Sequence, residues 1–367
     1  MTNETNRSRR LARKIVAWYR EKRRTLPWRE TRDPYAIWIS EVMLQQTQVD
    51  TVIPYYQRFL KAFPNVFALA RAPLPGVLKA WENLGYYSRA RHLHAAAQMI
   101  VDQFGGRIPD TVDELRRLPG VGPYTAGAVA SIAYNRAVPA VDGNVKRVLC
   151  RLFAVDTPLD DKATLARLND IAKAMIPAKG PGDFNSALMD LGATVCRPRA
   201  PRCCDCPVAN DCLAHKSGRA DDLPVKSRRA KTPHRYAAAI VLRDGQNRLL
   251  LTQRPQTGLL ASFWKLPGGI PSPQPPSKAD LASEVKKELG LNIRVGKKIA
   301  SVDHAYTHFR LTLAAYSAAL ISGKPQALDC QAFRFVAPGD LPKLPLSKID
   351  RMILAAATAD RAEKKGR

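Results

Sequence analysis

The sequence predicts a mainly α region of about two hundred residues followed by a smaller α+β domain. Three stretches of different character carry that prediction. From Leu11 to about Leu213, amphipathic runs are broken by Pro-Gly and Gly-rich turns, as in Ala72-Pro-Leu-Pro-Gly76 and Leu118-Pro-Gly-Val-Gly-Pro123. Residues 214–235 are polar, charged and proline-bearing with no apolar period, which reads as a linker. Beyond them Tyr236–Gly245 and Arg248–Arg254 predict a β-hairpin. Further strands are expected at Phe309–Ser317 and Phe333–Val336, with a helix at Lys278–Leu289. No repeat of solenoid length is present.

At the N-terminus, Arg7–Arg24 reads as a basic helix whose apolar positions Leu11, Ile15, Trp18 and Tyr19 fall at helical spacing. Such a stripe packs on a domain more often than it lies in lipid. The chain of 367 residues carries 58 Lys and Arg against 32 Asp and Glu, a formal charge of +26, so its surface attracts polyanions. Nucleic acid is the first partner this implies, with salt-sensitive binding and no sequence preference from charge alone. The sequence shows neither an apolar signal core nor a run long enough to span a bilayer, so a membrane partner is not expected and a reducing cytoplasm is.

Four cysteines end the helical region. Cys196, Cys203, Cys206 and Cys212 are spaced Cys-x6-Cys-x2-Cys-x5-Cys within 17 residues. Two independent disulfides do not fit so short a segment, and Cys203 with Cys206 has the reach of two ligands on one centre. The spacing suits an iron–sulfur cluster, with an all-thiolate zinc site as the alternative. Cys204 breaks the pattern and reads as a bystander; Cys150 and Cys330 read as buried thiols.

Between predicted helices at Val112–Arg117 and Thr125–Tyr134 lies Leu118-Pro119-Gly120-Val121-Gly122-Pro123. Two glycines at alternate positions allow a tight turn that presents N–H groups at the start of the second helix, a geometry that favours phosphate. Further on, Asp142 sits in a short apolar stretch before Gly143 and Asn144. A carboxylate there is costly unless it is paired or used, or caps the helix running from Asn144.

Hairpin, following Asp and cysteine array resemble, in order, the helix-hairpin-helix DNA glycosylase superfamily with its iron–sulfur loop, over residues 10–215. The string Trp38-Ile-Ser-Glu41-Val-Met-Leu-Gln-Gln46-Thr47-Gln-Val49 resembles the adenine DNA glycosylase (MutY) family within it. That resemblance implies a helical iron–sulfur subdomain from residues 1–25 and 137–215, a six-helix-barrel subdomain at 26–136, a linker at 216–234 and a Nudix-like domain at 235–360. It implies one [4Fe-4S] cluster on the four cysteines. The expected partner is duplex DNA containing adenine opposite 8-oxoguanine or guanine, bound by a monomer in a cytoplasmic, nucleoid-associated setting.

Base removal needs a proton on the leaving adenine and negative charge beside a cation-like sugar, which two carboxylates in different protonation states supply. The resemblance gives Glu41 the first role and Asp142 the second, assisted by Tyr124 and Asn144. Endonuclease III-like relatives carry a Lys where Tyr124 stands, and such a Lys would form a Schiff base and cut the strand. Its absence implies base removal without strong strand cleavage. The resemblance further assigns DNA contacts to Gln46, Thr47, Leu84, Tyr86, Leu118, Gly120, Val121 and Gly122, and adenine binding to Arg29. One departure stands out: the family's Gln or Glu that reads the adenine edge is Ser186 here.

In the last third, Gly258–Gly269 resembles a Nudix-type domain. Counting from Gly269 leaves Glu284 and Glu288 of the charged positions in its hydrolase box, with Pro275, Ser283 and Lys287 in the others, so no magnesium-dependent nucleotide hydrolysis is expected. The resemblance assigns 8-oxoguanine recognition to Thr307 and His308. The competing readings are an endonuclease III-like pyrimidine glycosylase and lyase, disfavoured by Glu41 and Tyr124; a non-catalytic lesion binder, disfavoured by the two carboxylates; and a hydrolase of oxidised nucleotides, disfavoured by the broken box.

Overall fold

The structure, a computed structural model, describes residues 3–225, 232–256, 258, 260–306 and 308–365. It divides into two compact units, Met1–Arg229 and Ala230–Arg367. The first is helical: α1 Asn3–Lys22, α2 Pro34–Met43, α3 Val49–Ala62, α4 Val66–Arg71, α5 Leu74–Ala80, α6 Ser88–Phe104, α7 Val112–Leu115, α8 Pro123–Ile132, α9 Gly143–Leu152, α10 Lys162–Met175, α11 Pro181–Asp190 and α12 Leu213–Lys216.

The basic helix α1 packs on protein. Leu11, Ile15 and Tyr19 are buried against Val148, Leu149, Leu168 and Phe184, while Trp18 stays half-exposed at the edge of that core. Full burial of a side chain the size of Leu11 or Ile15 contributes about 1.5–3 kcal/mol, which ties the N-terminus to helices more than a hundred residues away. Helix α2 has a different sequence logic. Pro34 occupies its first turn, Asp33 caps it by accepting from Tyr35 N at 3.1 Å, and every residue from Tyr35 to Met43 is buried. A helix apolar all round belongs in the middle of a domain, and Glu41 is the carboxylate it carries inside.

Helix α8 must approach the extended segment before α9 closely. A Cβ on Gly127 would stand 2.2 Å from Pro139 O, so glycine is needed for contact rather than for turning. Asn185 then pins that segment, accepting from Ala140 N at 3.1 Å and donating to Val138 O at 2.9 Å. The expected linker begins later than its composition implies. Ala214 and Leu223 are buried, Leu223 O accepts from Arg151 Nε at 2.9 Å, and Leu159 N donates to Val225 O at 3.4 Å. Two isolated apolar residues with a buried guanidinium partner hold this polar stretch down; residues 226–231 lie outside the described ones.

The second unit contains β1 His234–Val241, β2 Leu249–Gln253, β3 Trp264–Lys265, α13 Lys278–Leu289, β4 Asn292–Ala305, β5 Arg310–Ser322, β6 Ala332–Val336 and α14 Lys348–Lys365. Its two sheets run β1-β5-β4 and β3-β2-β6. Ala237, Ala239 and Val241 of β1 face α14 through Ile349 and Ile353, whereas Ala238 and Ile240 face α13 through Leu281 and Val285. Alternation with both faces covered explains why β1 reads as a continuous apolar run.

The predicted hairpin of β1 and β2 is not formed. β1 pairs in parallel with β5, from His234 with Arg310 to Val241 with Ser317, and β2 pairs with β3 and β6. Only the tip closes, through Leu250 N to Leu242 O at 2.9 Å and the bridge of Arg243 with Leu249. Asp244 tightens that tip by accepting from Gln246 N and Arg248 N, after which the strands part into separate sheets. Helix α13 has the expected bounds, set by the Ser277–Asp280 capping box and by Gly290 in the left-handed conformation at its end.

Replacing Gly127 with Ala is expected to destabilise the helical unit by about 1–3 kcal/mol, because Pro139 O cannot move without dragging the segment that Asn185 holds. Urea denaturation of the variant would measure it; an unchanged midpoint would mean that α8 and residues 139–142 can separate freely.

Candidate active site

Three helix positions converge on a cavity of about 820 Å³ in the helical unit. Glu41 enters from the buried helix α2, Tyr124 from the first turn of α8, and Asp142 from the N-cap of α9. Tyr124 Oη donates to Glu41 Oε2 at 2.6 Å. Asp142 Oδ1 accepts from Val145 N at 2.7 Å, and its Oδ2 accepts from Asn144 Nδ2 at 3.0 Å. The amide of Asn144 is oriented by Arg147, whose Nη2 donates to Asn144 Oδ1 at 2.7 Å, leaving the NH2 end for the carboxylate. Arg147 also donates to Gly192 O and to Cys196 O, both at 2.8 Å, so one guanidinium links this cap to the start of the cysteine loop.

The two carboxyl groups differ in support. Burial pushes the Glu41 carboxyl up to about 7, with the Tyr124 hydrogen bond pulling down and the charge of Asp142 pushing further up. Burial also raises Asp142, but its bonds from Val145 and Asn144 and the nearby Arg147 oppose that rise. Burial thus raises both carboxyl groups, Glu41 to near neutrality, and of the two it is Asp142 whose charged form receives two hydrogen bonds and a neighbouring guanidinium. Tyr124 is raised well above its ordinary value by burial and by the Glu41 charge, and stays a neutral donor.

Behind this pair lies a fixed ion cluster. Asp190, 1% exposed, accepts from Arg24 Nε and Nη2 at 2.9 and 2.6 Å and from Arg29 Nη1 and Nη2 at 2.5 and 2.7 Å. Burial alone would raise the Asp190 carboxyl; the two guanidinium groups hold it below its ordinary value. Arg29 thus lines the cavity with its fork already committed to Asp190, over the ring of Tyr19 at 5.3 Å. Ser186 also lines the cavity, and its hydroxyl pairs with that of Tyr19.

Gln46, which lines the cavity, and Tyr86, in the loop before α6, are exposed and both adopt left-handed backbone, φ +57° and +48°. Non-glycine residues keep that conformation only where their surroundings impose it. Arg89 imposes it here. Its guanidinium is buried and donates to Val42 O, Met43 O, Gln45 O, Leu84 O, Gly85 O and Thr47 Oγ1 at 2.6–3.2 Å, joining both loops. Its ring neighbours are Trp81 and Tyr86, at 5.3 and 5.5 Å. Leu84 is buried, unlike its neighbour Tyr86, so it anchors the loop.

The turn from Leu118 to Gly122 forms between α7 and α8, with Val121 N donating to Leu118 O at 3.1 Å. Of its two glycines only Gly120 needs the left-handed region, at φ +76°, and a Cβ there would meet His92 at 2.6 Å. Leu118 and Val121 are buried anchors, so what this turn presents outward is backbone. Arg89, Arg147 and Asp190 were not singled out from sequence. The available signal was their place in apolar helix faces, as for Arg89 beside Leu93, Ala96 and Ala97.

Cys196, Cys206 and Cys212 pack against the core of α1, α9 and α11, and Cys203, Cys206 and Cys212 each feel the charge of Cys196. Arg151 donates to Cys196 Sγ at 3.3 Å and Cys212 Sγ donates to Arg151 O at 3.3 Å. Among the described residues no group of three or more His, Cys, Asp or Glu side chains is arranged to hold a single metal ion. An all-sulfur donor set braced by a buried arginine has the donor chemistry of an iron–sulfur cluster. Cys204 is exposed, Cys150 is fully buried and Cys330 is only half-buried.

In the second unit Tyr306 N donates to Phe309 O at 2.9 Å, closing the turn between β4 and β5; His308 is exposed on it, and Thr307 lies outside the described residues. The two box carboxylates are engaged within the protein. Glu288 accepts from Lys265 Nζ at 2.6 Å and Gly268 N at 2.8 Å, and Glu284 accepts from Ile270 N at 2.9 Å.

A buried acid facing a capped carboxylate, beside a helix-hairpin-helix turn and a four-cysteine loop, defines a base-excision glycosylase of the helix-hairpin-helix class. Residues 39–174 match the HhH-GPD superfamily of base excision DNA repair proteins and residues 238–356 a NUDIX domain. Among solved structures the chain resembles a thermostable thymine-DNA glycosylase, at 31% identity and TM-score 0.54 over 59% of this chain and all of that one. It also resembles endonuclease III trapped on DNA, at 25% identity and TM-score 0.51 over 59% of this chain and 99% of that one. Curated relatives include the adenine DNA glycosylase of Rattus norvegicus, 37% identical over 88% of this chain and 73% of that protein, and that of Buchnera aphidicola (strain APS), 34% identical over 81% and 83%. The chain belongs to the adenine DNA glycosylase family and is a DNA glycosylase. No helix among its described residues is long and apolar enough to cross a membrane.

Because the folded Glu41 carboxyl titrates near 7 rather than at its ordinary 4.5, its neutral form stabilises the fold at low pH and that stability is lost as pH rises through 7. Glu41→Gln is therefore expected to match the parent protein at about pH 4.5 and to exceed its stability above neutrality by on the order of 3 kcal/mol. Paired denaturation curves at the two pH values test this, and equal stability at both would refute a strained acid.

Proposed function

We propose that this enzyme hydrolyses the N-glycosidic bond of adenine mispaired with 8-oxoguanine or guanine in duplex DNA, leaving an abasic site. The observation that carries the reading is the buried Glu41, held by Tyr124, in one cavity with Asp142, whose carboxylate oxygens accept from Val145 N and Asn144 Nδ2. The target nucleotide leaves the stack to enter the cavity, at a cost of about a few kcal/mol. Tyr124 donates to Glu41 Oε2, which leaves the carboxyl proton on Oε1, free to pass to a ring nitrogen of the base. As the glycosidic bond breaks, the proton goes to the leaving adenine and Asp142 stabilises the cation-like sugar. Water then adds at the sugar carbon and gives up its proton to a carboxylate.

No lysine stands in the place of Tyr124, which supports a monofunctional reaction without Schiff-base strand cleavage. Gln46, Thr47 and Tyr86, and the backbone of residues 118–122, are suited to wedge and phosphate contacts, while buried Leu84, Leu118 and Val121 hold those loops. Arg29 acts through its place in the cavity wall, and Ser186 offers adenine one hydroxyl where the family carries a longer amide or acid. Thr307 and His308 are read as the 8-oxoguanine contact. Cys196, Cys203, Cys206 and Cys212 would hold a [4Fe-4S] cluster, whose bonds to the four thiolates order the basic loop between Arg197 and Arg202. Through Cys196 O, Arg147 and Asn144, that loop bears on the orientation of Asp142.

A single-turnover assay on end-labelled duplexes with adenine opposite 8-oxoguanine, split between alkali and no alkali, tests the reading. Breaks are expected mainly after alkali, with Asp142→Asn losing at least a hundredfold in rate while retaining duplex binding. Turnover by that variant at the parental rate would sink the mechanism. The rate constant is expected to fall as pH rises through about 7, where Glu41 loses its proton, and to fall again on the acid side as Asp142 gains one. A profile that rises through pH 7 would exclude Glu41 as the acid.

A further inference from the structure

Two loops far apart in the chain carry exposed side chains on left-handed backbone: residues 44–47 after α2 and residues 83–87 before α6. In the second, Asn83, Gly85 and Tyr86 all have positive φ, at +73°, +72° and +48°. Two of those three are not glycine, so the loop is bent against its own preference. Its shape is set from inside. Trp81 Nε1 donates to Gly85 O at 3.2 Å, Tyr87 Oη accepts from Asn83 N at 3.0 Å, and Arg89 Nη2 donates to Leu84 O and Gly85 O at 3.2 and 3.1 Å.

The same guanidinium holds the other loop. Arg89 Nη1 donates to Val42 O, Met43 O and Gln45 O, and Nη2 donates to Thr47 Oγ1. Gln45 Nε2 in turn donates to Thr125 Oγ1 at 3.2 Å, one residue beyond the Tyr124 that holds Glu41. Arg89 itself stands in the first turn of the 17-residue helix α6. Both loops are thus indexed to α6 and, through Gln45, to the start of α8.

For stability alone this arrangement is expensive. Arg89 is 7% exposed, burial pulls its guanidinium down to about 10, and no carboxylate is among the groups that oppose the shift. Its Nε has no hydrogen-bond partner among the described residues. A buried cation that serves only carbonyls and one hydroxyl forgoes the ion pair that would offset its dehydration. What it provides is geometry. A planar fork reaches acceptors on two loops at once, whereas the compact ammonium of a lysine would reach one of them.

Extruding a base leaves a gap in the stack, and groups already in place to fill it spare the step the cost of ordering them. We propose that Arg89 is a positioning residue for base extrusion: it holds Gln46 and Tyr86 at a fixed spacing from each other and from Glu41, so that preformed groups open the pair before the glycosidic bond breaks. The inference rests on adenine removal as read above. It assigns Arg89 to opening the pair, not to proton transfer or to stabilising the sugar.

Rapid-mixing fluorescence with 2-aminopurine beside the target adenine, run alongside single-turnover cleavage of the same duplex by the full chain, tests it. The fluorophore reports loss of stacking and alkali-revealed breaks report bond cleavage. Arg89→Lys, which keeps the charge, is expected to slow both at least about tenfold while duplex affinity changes less than about threefold. With extrusion limiting, cleavage by this variant is expected to lose the fall through pH about 7 that Glu41 gives the parent. A mismatch on each side of the target pair lowers the cost of unstacking and is expected to bring the variant within about threefold of the parent. Trp81→Phe, which keeps the ring packing and removes the bond to Gly85 O, is expected to slow unstacking about threefold and serves if Arg89→Lys does not fold. Unstacking at the parental rate in either variant, or a loss of cleavage that persists in the mismatched duplex with the parental pH profile, would overturn the role of Arg89 and leave adenine removal intact. A parent protein that neither unstacks nor cleaves the adenine duplex would overturn the underlying reading, and this role with it.

Discussion

A carboxylic acid in the middle of a fully buried helix is the constraint on which the helical unit is built. Glu41 has no basic partner as close as Tyr124, and burial outweighs the help it receives, so it keeps its proton near neutrality. An acid in that state is useful for protonating a leaving group and wasteful for stability. The surrounding structure offsets the cost with apolar burial along α2 and with the ion cluster at Asp190, where two guanidinium groups outweigh the burial of one carboxylate.

Buried arginines do the long-distance work of this unit. Arg89 gathers carbonyls from the end of α2 and from the loop before α6, so two exposed side chains on strained backbone, Gln46 and Tyr86, are placed by one group. Arg147 and Arg151 perform the same task between α9 and the cysteine loop, each reaching carbonyls or sulfur that the loop would otherwise leave unpaired. A planar guanidinium with five donors suits this role, because it satisfies several irregular carbonyls without demanding regular structure from them. The cysteine loop and the cap that holds Asp142 are thereby mechanically connected, although the cysteines and the cavity occupy different parts of the unit.

In the C-terminal unit an ammonium serves where a hydrolase box would gather carboxylates. Lys265 takes both Glu288 and Gly268 O at 2.6 Å, closing the loop between β3 and α13 from within.

Local chemistry was legible from the sequence. Helix α13 was readable to its ends because Ser277, Asp280 and Gly290 act within a few residues of themselves, and the cavity residues Glu41, Tyr124 and Asp142 were readable because their strings are compact. The pairing of β1 with β5 was not, since a run such as Ala237–Val241 states that both faces are covered but not by which strand. The long, polar-alternating β4 and the helix α14 carried no comparable local mark. Nor did Arg89, Arg147 and Asp190 announce their roles, because a buried ion or carbonyl cluster is defined by partners tens of residues away. The carboxylate pair, the thiol set and the two-part architecture could be read from short strings of residues. The environment of those carboxylates, their supports and the strand order came from the folded chain, because burial, hydrogen bonding and register arise from contacts that no short segment contains.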